Sequence, residues 1–366
     1  VHIPDGYLSP QTCAVAFAVA APTIAVASRR VTKVVKTRNV PTLAMFAAVS
    51  FLVMMVNVPI PDGTTAHAVG AVIIAIALGP WAAVIAVSVA LLFQALLFGD
   101  GGLLAYGANV LNIAIVMPFV GLAVYRALAG RGPLDGRRRV LAAGAAGYVG
   151  INAAALATAI EFGIQPGLFQ TEAGTPLYAP YSLSQTIPAM ALAHLLVAGP
   201  VEAVLTGSVF AYLARANPAA LAAGHAGLLG GGASPARGWA SPGRVAIGSV
   251  AVLTALTPLG LLAPGGAFGE DAPEDLDLAR LGLQAIPEGM QRYTGFWSHT
   301  LLGDYGFADG ANPTLAYWVS ALLGIVVVGG CVYLLGLVIA KATRRAGPEL
   351  VAPTEPVAPH PAPPHR

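Results

Sequence analysis

An all-α fold, a polytopic bundle of transmembrane helices, is what this sequence predicts, and three observations predict it. Hydrophobic residues make up 56% of the 366 and charged residues only 10%, with a mean hydropathy of +0.73. Apolar runs near or above the roughly 20 residues needed to cross a bilayer recur along the chain. The basic residues are also sorted between alternate loops, as in a multi-pass protein. A net charge of +2 carries no nucleic-acid signature. The two cysteines, Cys13 and Cys331, sit in apolar runs. They imply neither a disulfide framework nor a zinc site and read as small buried hydrophobes.

Taken in order, candidate spans lie near 11–28, 40–58, 67–79, 81–98, 103–127, 139–162, 186–213, 244–263 and 314–340, about seven spans and then a two-span hairpin. The first has the length of a secretory signal. No Lys or Arg precedes it, however, and Arg29, Arg30, Lys33, Lys36 and Arg38 follow it. That order predicts an uncleaved helix with its N-terminus outside. The third span is short, and Gly79-Pro80 joins it tightly to the fourth. With the N-terminus outside, segments 28–39, 128–138, 214–243 and 341–366 lie inside. Of the 19 Lys and Arg, only Arg280 and Arg292 then fall clearly outside. Acidic residues lean the other way, from Asp5, Asp62 and Asp100 through Glu270 and the run Asp271–Asp277 to Asp309. A carboxylate-rich outer face favours the approach of cations. Residues 215–243, rich in Ala, Gly, Ser and Pro, read as a flexible linker. A two-span unit covers 244–345, and 346–366 reads as a disordered Pro-rich tail ending near His360 and His365.

Polar residues within or beside spans carry the chemistry. In the order Val1-His2, three nitrogens can chelate one metal ion: the α-amine, the amide between the two residues, and Nδ1 of His2. The rings close with five and six members, the geometry is flat, and one place in the plane stays open. His67, in Gly63-Thr64-Thr65-Ala66-His67, could fill it. Four nitrogens in a tetragonal plane suit Ni(II) or Cu(II), and Co(II) also accepts nitrogen. Taken alone, the terminus reads more simply as a frayed end that carries a histidine; the rest of the chain decides for the chelate. Asp100 and Asn109, in the Gly-rich stretch Gln94–Asn112, could orient the ligand imidazoles, with Asn112 beside them. Loop and helix-end packing is the alternative for these three. His194 and Glu202, eight residues apart, share a helix face, where a structural hydrogen bond is preferred to metal ligation. The small residues Ala142–Gly147 could form a close-packing face toward a partner, or simply face lipid.

Taken with His2 and His67, the run Gln94–Asn112 resembles the M component of the energy-coupling-factor importers for cobalt and nickel, the CbiM/NikM family, over about residues 1–214. The resemblance implies a metal held by the terminal amine, the amide and imidazole of the second residue, and a loop histidine: here Val1, His2 and His67. It implies Co(II) or Ni(II) as transported substrate for cobalamin synthesis or nickel enzymes, with no bound organic cofactor. It also implies a bacterial cell-membrane location and three partners, a transmembrane coupling subunit of CbiQ/NikQ type and two ATPase subunits of CbiO/NikO type. ATP would bind only on those partners, since the chain has no G-x-x-x-x-G-K-[ST] phosphate loop. The family starts with Met and this chain with Val. The ligands of residue 1 are backbone groups, so its side chain does not decide coordination, and a GTG start codon read literally would print Val. Residues 264–318 resemble, more loosely, the small N component or a related fused C-terminal domain. The supporting residues are Gly266-Ala267-Phe268-Gly269-Glu270, Pro287-Glu288-Gly289-Met290 and Asp304-Tyr305-Gly306.

Two other classes compete. An intramembrane metalloenzyme lacks its H-E-x-x-H motif, or three ligands spaced along one helix. A stand-alone secondary permease would show His and Asp together within one span. Neither pattern occurs in the chain.

Overall fold

A computed structural model describes residues 2–34, 40–60, 64–131, 133–216, 218, 221, 242–263 and 266–345. Val1, most of the expected linker and the tail from 346 lie outside the described residues. Among the described residues the architecture is an all-α bundle with a small hairpin, and six helices are long and apolar enough to cross a membrane. They are α1 (Pro10–Val31), α4 (Pro80–Phe98), α5 (Tyr106–Ala129), α6 (Arg137–Leu168), α7 (Leu183–Ala216) and α9 (Pro313–Ile339). Shorter helices are α2 (Val40–Met54), α3 (Ala71–Leu78) and α8 (Pro242–Leu256). The hairpin pairs β1 (Val58–Ile60) with β2 (Thr64–Ala66), antiparallel, Val58 opposite Ala66.

Local chemistry sets the helix ends. Ser9 caps α1 by accepting the N–H of Thr12 at 3.1 Å, and Pro10 fits the first turn because it has no N–H to satisfy. α4 starts at Pro80 in the same way and stops at Gly99, whose φ of 72° suits a residue without a Cβ. A Ser182/Gln185 capping box opens α7. Large apolar side chains such as Val15, Leu141, Val204 and Val326 point outward from the bundle, as a lipid-facing surface requires.

Two expectations are corrected. The third candidate span is not a helix throughout. Residues 67–70 are irregular and only Ala71–Leu78 is helical. Eight helical residues reach about 12 Å, and four others add at most about 13 Å, which explains why hydropathy found this passage short. Irregular backbone at membrane depth must have its polar groups satisfied by protein. Ser50 Oγ donates to the Val69 carbonyl at 2.7 Å, and the Glu202 carboxylate accepts the Val69 and Gly70 N–H groups at 2.8 and 3.0 Å. The small-residue face Ala142–Gly147 packs inside the chain. A Cβ on Gly147 would lie 2.9 Å from the Glu202 carbonyl of α7, and one on Gly144 would lie 3.2 Å from that of Ala203. These small residues let α6 and α7 approach closely.

The C-terminal helices pack on the rest rather than apart from it. α9 and α8 both lie against α2, and a Cβ on Gly324 of α9 would overlap the Phe51 ring of α2.

Candidate metal centre

His2 and His67 meet. Their rings stack with centroids 4.9 Å apart and planes 26° apart, and each residue is 3% exposed. The N-terminal segment is held there by the loop between α4 and α5 and by the first turn of α5. Asn109 accepts the N–H of Ile3 at 2.8 Å and donates to its carbonyl at 3.1 Å, while the Gly102 N–H reaches the same carbonyl at 2.8 Å. Asp5 accepts the N–H groups of Leu103 and Ala105 at 3.1 and 3.0 Å, at the start of α5. A Cβ on Gly102 would overlap that carboxylate.

His67 sits in the irregular stretch anchored by Glu202, which also accepts the Thr206 hydroxyl at 3.0 Å. Its Nδ1 lies 3.0 Å from the Ala68 carbonyl. A carbonyl only accepts, so Nδ1 carries the proton and Nε2 bears the lone pair. That Nε2 is buried without a hydrogen-bond partner, as is Nε2 of His2. That lone pair makes the ring fit to ligate a metal.

Carboxylates stand on both His2 nitrogens expected in a chelate. Asp100 Oδ1 is 2.8 Å from Nδ1, and Glu270 Oε1 accepts the His2 N–H at 3.0 Å. Burial opposes ionisation of Asp100, but the His2 imidazole and the Tyr305 hydroxyl hold it well below the usual carboxylate range. Its second oxygen accepts Gln94 Nε2 at 3.1 Å and the Tyr305 hydroxyl. Burial pushes the Tyr305 hydroxyl well above its usual pKa, so it keeps the proton it donates. Beside the centre lies a cavity of about 400 Å³ lined by Asp5, Glu270, Asp271, Asp275 and Asp304, with no Lys or Arg among the described residues of its wall. Such a wall concentrates cations.

Among the described residues, no three His, Cys, Asp or Glu side chains converge for a metal ion.

The other expected site residues are placed as follows. Asn109 fixes the backbone beside His2. Asn112 is turned elsewhere, donating to Thr158 Oγ1 at 3.1 Å and Glu161 Oε2 at 2.6 Å. His194 Nδ1 bonds the Met190 carbonyl of its own helix at 2.9 Å, and its Nε2 is buried without a partner. No hydrogen bond joins His194 to Glu202. A π-helical turn, His194–Ala198, lies between them and breaks the register that put them on one face. Glu270 and Tyr305 were not among the expected site residues. Both occur in the stretches that resemble the N component, which was the available signal.

The model of the family described as the cobalt uptake substrate-specific transmembrane region, CbiM, matches residues 2–220. The chain belongs to the CbiM family. This CbiM-family chain is 48% identical to the fused nickel transport protein NikMN of Rhodobacter capsulatus, a match covering 95% of this chain and 100% of that one. It is 33% identical to the cobalt transport protein CbiM of Geobacter sulfurreducens over 65% of this chain and 66% of that one. A crystal structure of a truncated transition metal transporter is similar at 56% identity and a TM-score of 0.54, covering 58% of this chain and 98% of that chain. The family match includes His2, His67, Asp100, Asn109 and Glu202 and ends before Glu270 and Tyr305.

Proposed function

We propose that this multi-pass membrane protein is the substrate-capture subunit of an ATP-driven importer of Ni(II) or Co(II). The proposed ligands are the amine of residue 1, the amide nitrogen and Nδ1 of His2, and Nε2 of His67. One observation carries the reading. Two buried histidines from distant parts of the sequence come together, and Nε2 of His67, the atom proposed to ligate, has no hydrogen-bond partner. A buried polar atom without a partner is costly, and ligand binding is a reason to keep one. Loading exchanges the hydrogen bonds to Asp100 and Glu270 for bonds to the metal. The acidic cavity is the approach from outside, and the distribution of Lys and Arg supports an external N-terminus in a bacterial plasma membrane. Energy comes from partners, a coupling subunit of CbiQ/NikQ type and two ATPases of CbiO/NikO type, because this sequence has no phosphate loop. Residues 1–214 are the capture unit, 244–345 the accessory unit, with 215–243 linking them. Ni(II) is the first ion to test, since the full-length relative from Rhodobacter is named for nickel.

The test is an extension by one glycine ahead of residue 1, read by calorimetric titration of the full chain in detergent. The added peptide moves the amine and breaks the chelate rings. High-affinity Ni(II) and Co(II) binding should disappear. Unchanged affinity would refute the chelate.

A further inference from the structure

We propose that Tyr305, supplied by the C-terminal part of the chain, is a positioning residue for metal capture: it fixes the Asp100 carboxylate against His2. The inference rests on the reading of His2 as a ligand. Asp100 uses one oxygen on His2 Nδ1, 2.8 Å away, and the other on Tyr305 and Gln94. Gln94 Nε2 also lies 3.0 Å from the Tyr305 oxygen, so the three side chains close a ring of hydrogen bonds. Gln94 opens a π-helical turn, Gln94–Phe98, a distortion often found where a helix aims a side chain.

Tyr305 is delivered under strain. Asp304 and Tyr305 have φ of 49° and 60°, a region that non-glycine residues rarely adopt. Such conformations persist only where the surroundings enforce them. Ser320 Oγ of α9 donates to the Tyr305 carbonyl at 3.0 Å. Its ring stacks on Phe98 at 4.9 Å and 25° and lies near Tyr317 at 5.8 Å. A strained turn, an aromatic socket and a backbone anchor thus place one hydroxyl on one carboxylate. Tyr305 also lies beyond the residues matched by the family model, so Asp100 takes its fixing partner from a different part of the chain.

The consequence is electrostatic. With a divalent cation on the His2 nitrogens, the Asp100 carboxylate gives up Nδ1 but stays beside the ion through its other oxygen, held by Tyr305 and Gln94, and burial makes that attraction strong. Without the Tyr305 hydroxyl, that oxygen of Asp100 keeps only Gln94, the carboxylate is held less firmly and this attraction weakens.

The experiment uses the full chain in detergent, with Ni(II) as probe. Tyr305→Phe keeps the ring and removes the hydroxyl. Its Kd should rise about tenfold, the lower end for losing an outer partner of a metal ligand. Tyr317→Phe, which alters a neighbouring ring with no bond to Asp100, should stay within about twofold, the range of an unperturbed site. In an Asp100→Asn background, Tyr305→Phe should have little further effect, because the two changes cut the same link. A purely structural role would cost the same in both backgrounds. Ser320→Ala, which frees the strained turn and leaves Tyr305 intact, should weaken binding less and in the same direction, and serves if Tyr305→Phe does not fold. Wild-type affinity in Tyr305→Phe, or equal losses with and without Asp100, would overturn the proposal. The glycine extension reports separately on the chelate. Loss of binding there with no effect at Tyr305 removes only the positioning role. Intact binding there with coupling between Tyr305 and Asp100 removes only the chelate.

Discussion

The two parts of the chain bring opposite chemistry to one place. Residues 2–216 bring nitrogen, in His2 and His67, and the backbone scaffolding that aims it. Residues 266–312 bring oxygen: Glu270 on the His2 N–H and Tyr305 on Asp100. The first part keeps partnerless lone pairs, while the second supplies hydrogen bonds that complete its neighbours. The C-terminal part therefore acts on the centre itself and is more than an attached hairpin. Tyr7 shows the same seam, donating its hydroxyl to the Asp271 carbonyl at 2.8 Å.

The largest effect should separate a ligand from a look-alike within the first part. His67→Ala removes a proposed ligand. It should weaken Ni(II) binding by more than about 100-fold, beyond the 10–100-fold typical of outer partners. His194→Ala removes a buried ring whose Nδ1 is satisfied by its own helix, and it should change melting temperature more than affinity. Titration and thermal unfolding of both variants check this. A reversed pattern would mean His194 is the ligand, and nitrogen would have to be sought at the π-helical turn of α7.

Much of the first part was legible in sequence because its signals are local. Apolar runs mark the long helices, and Gly99, Gly101 and Gly102 mark the loop that lets Ile3 and Asp5 approach. His2 and His67 were singled out by the chelate argument, and Asp100 by its place in the Gly-rich stretch. The seam between the parts was not legible. Glu270 lies 268 residues from His2 and Tyr305 lies 205 from Asp100, and no spacing rule links such positions. His194 and Glu202 each make structural hydrogen bonds, but with different partners, because a shared face assumes an unbroken α-helix and the π-helical turn interrupts it. Glu202 was noticed as a costly buried carboxylate. That it holds two backbone N–H groups follows only from knowing that residues 67–70 are irregular. The Ala142–Gly147 face was misassigned because small residues favour close packing wherever the neighbouring helix comes from.

A middle-sized effect comes from protons. The amine has a reference pKa of about 7.7–8.0, so Ni(II) must displace a proton from it over much of the range from pH 8 to 6, and affinity should fall at least about 30-fold across it. The amide proton, if its nitrogen ligates, steepens the fall. The sign is the same for every group, with binding lost as pH falls. Titration in buffers of different ionisation enthalpy would show the protons released. A flat profile would mean that neither amine nor amide is a ligand.

The smallest effect tests the seam without touching any polar side chain. Gly6 has φ of 94°, and a Cβ there would sit 2.8 Å from the Met290 carbonyl in the C-terminal part. Gly6→Ala thus adds conformational strain and pushes the two parts apart just after His2. Gly282 has a similar φ of 68°, but a Cβ there meets nothing within 4 Å. Gly282→Ala adds strain alone, about 1–2 kcal/mol for an L-residue held left-handed. Thermal unfolding should therefore register both variants, Gly6→Ala the more. Ni(II) affinity should drop only in Gly6→Ala, by a factor of a few (roughly 1 kcal/mol or less), because only that position links the His2 segment to the part carrying Glu270 and Tyr305. If the two alanines changed affinity equally, the seating of the C-terminal part would not matter to the centre, and the contrast between a nitrogen-bearing part and an oxygen-bearing part would have no consequence for capture.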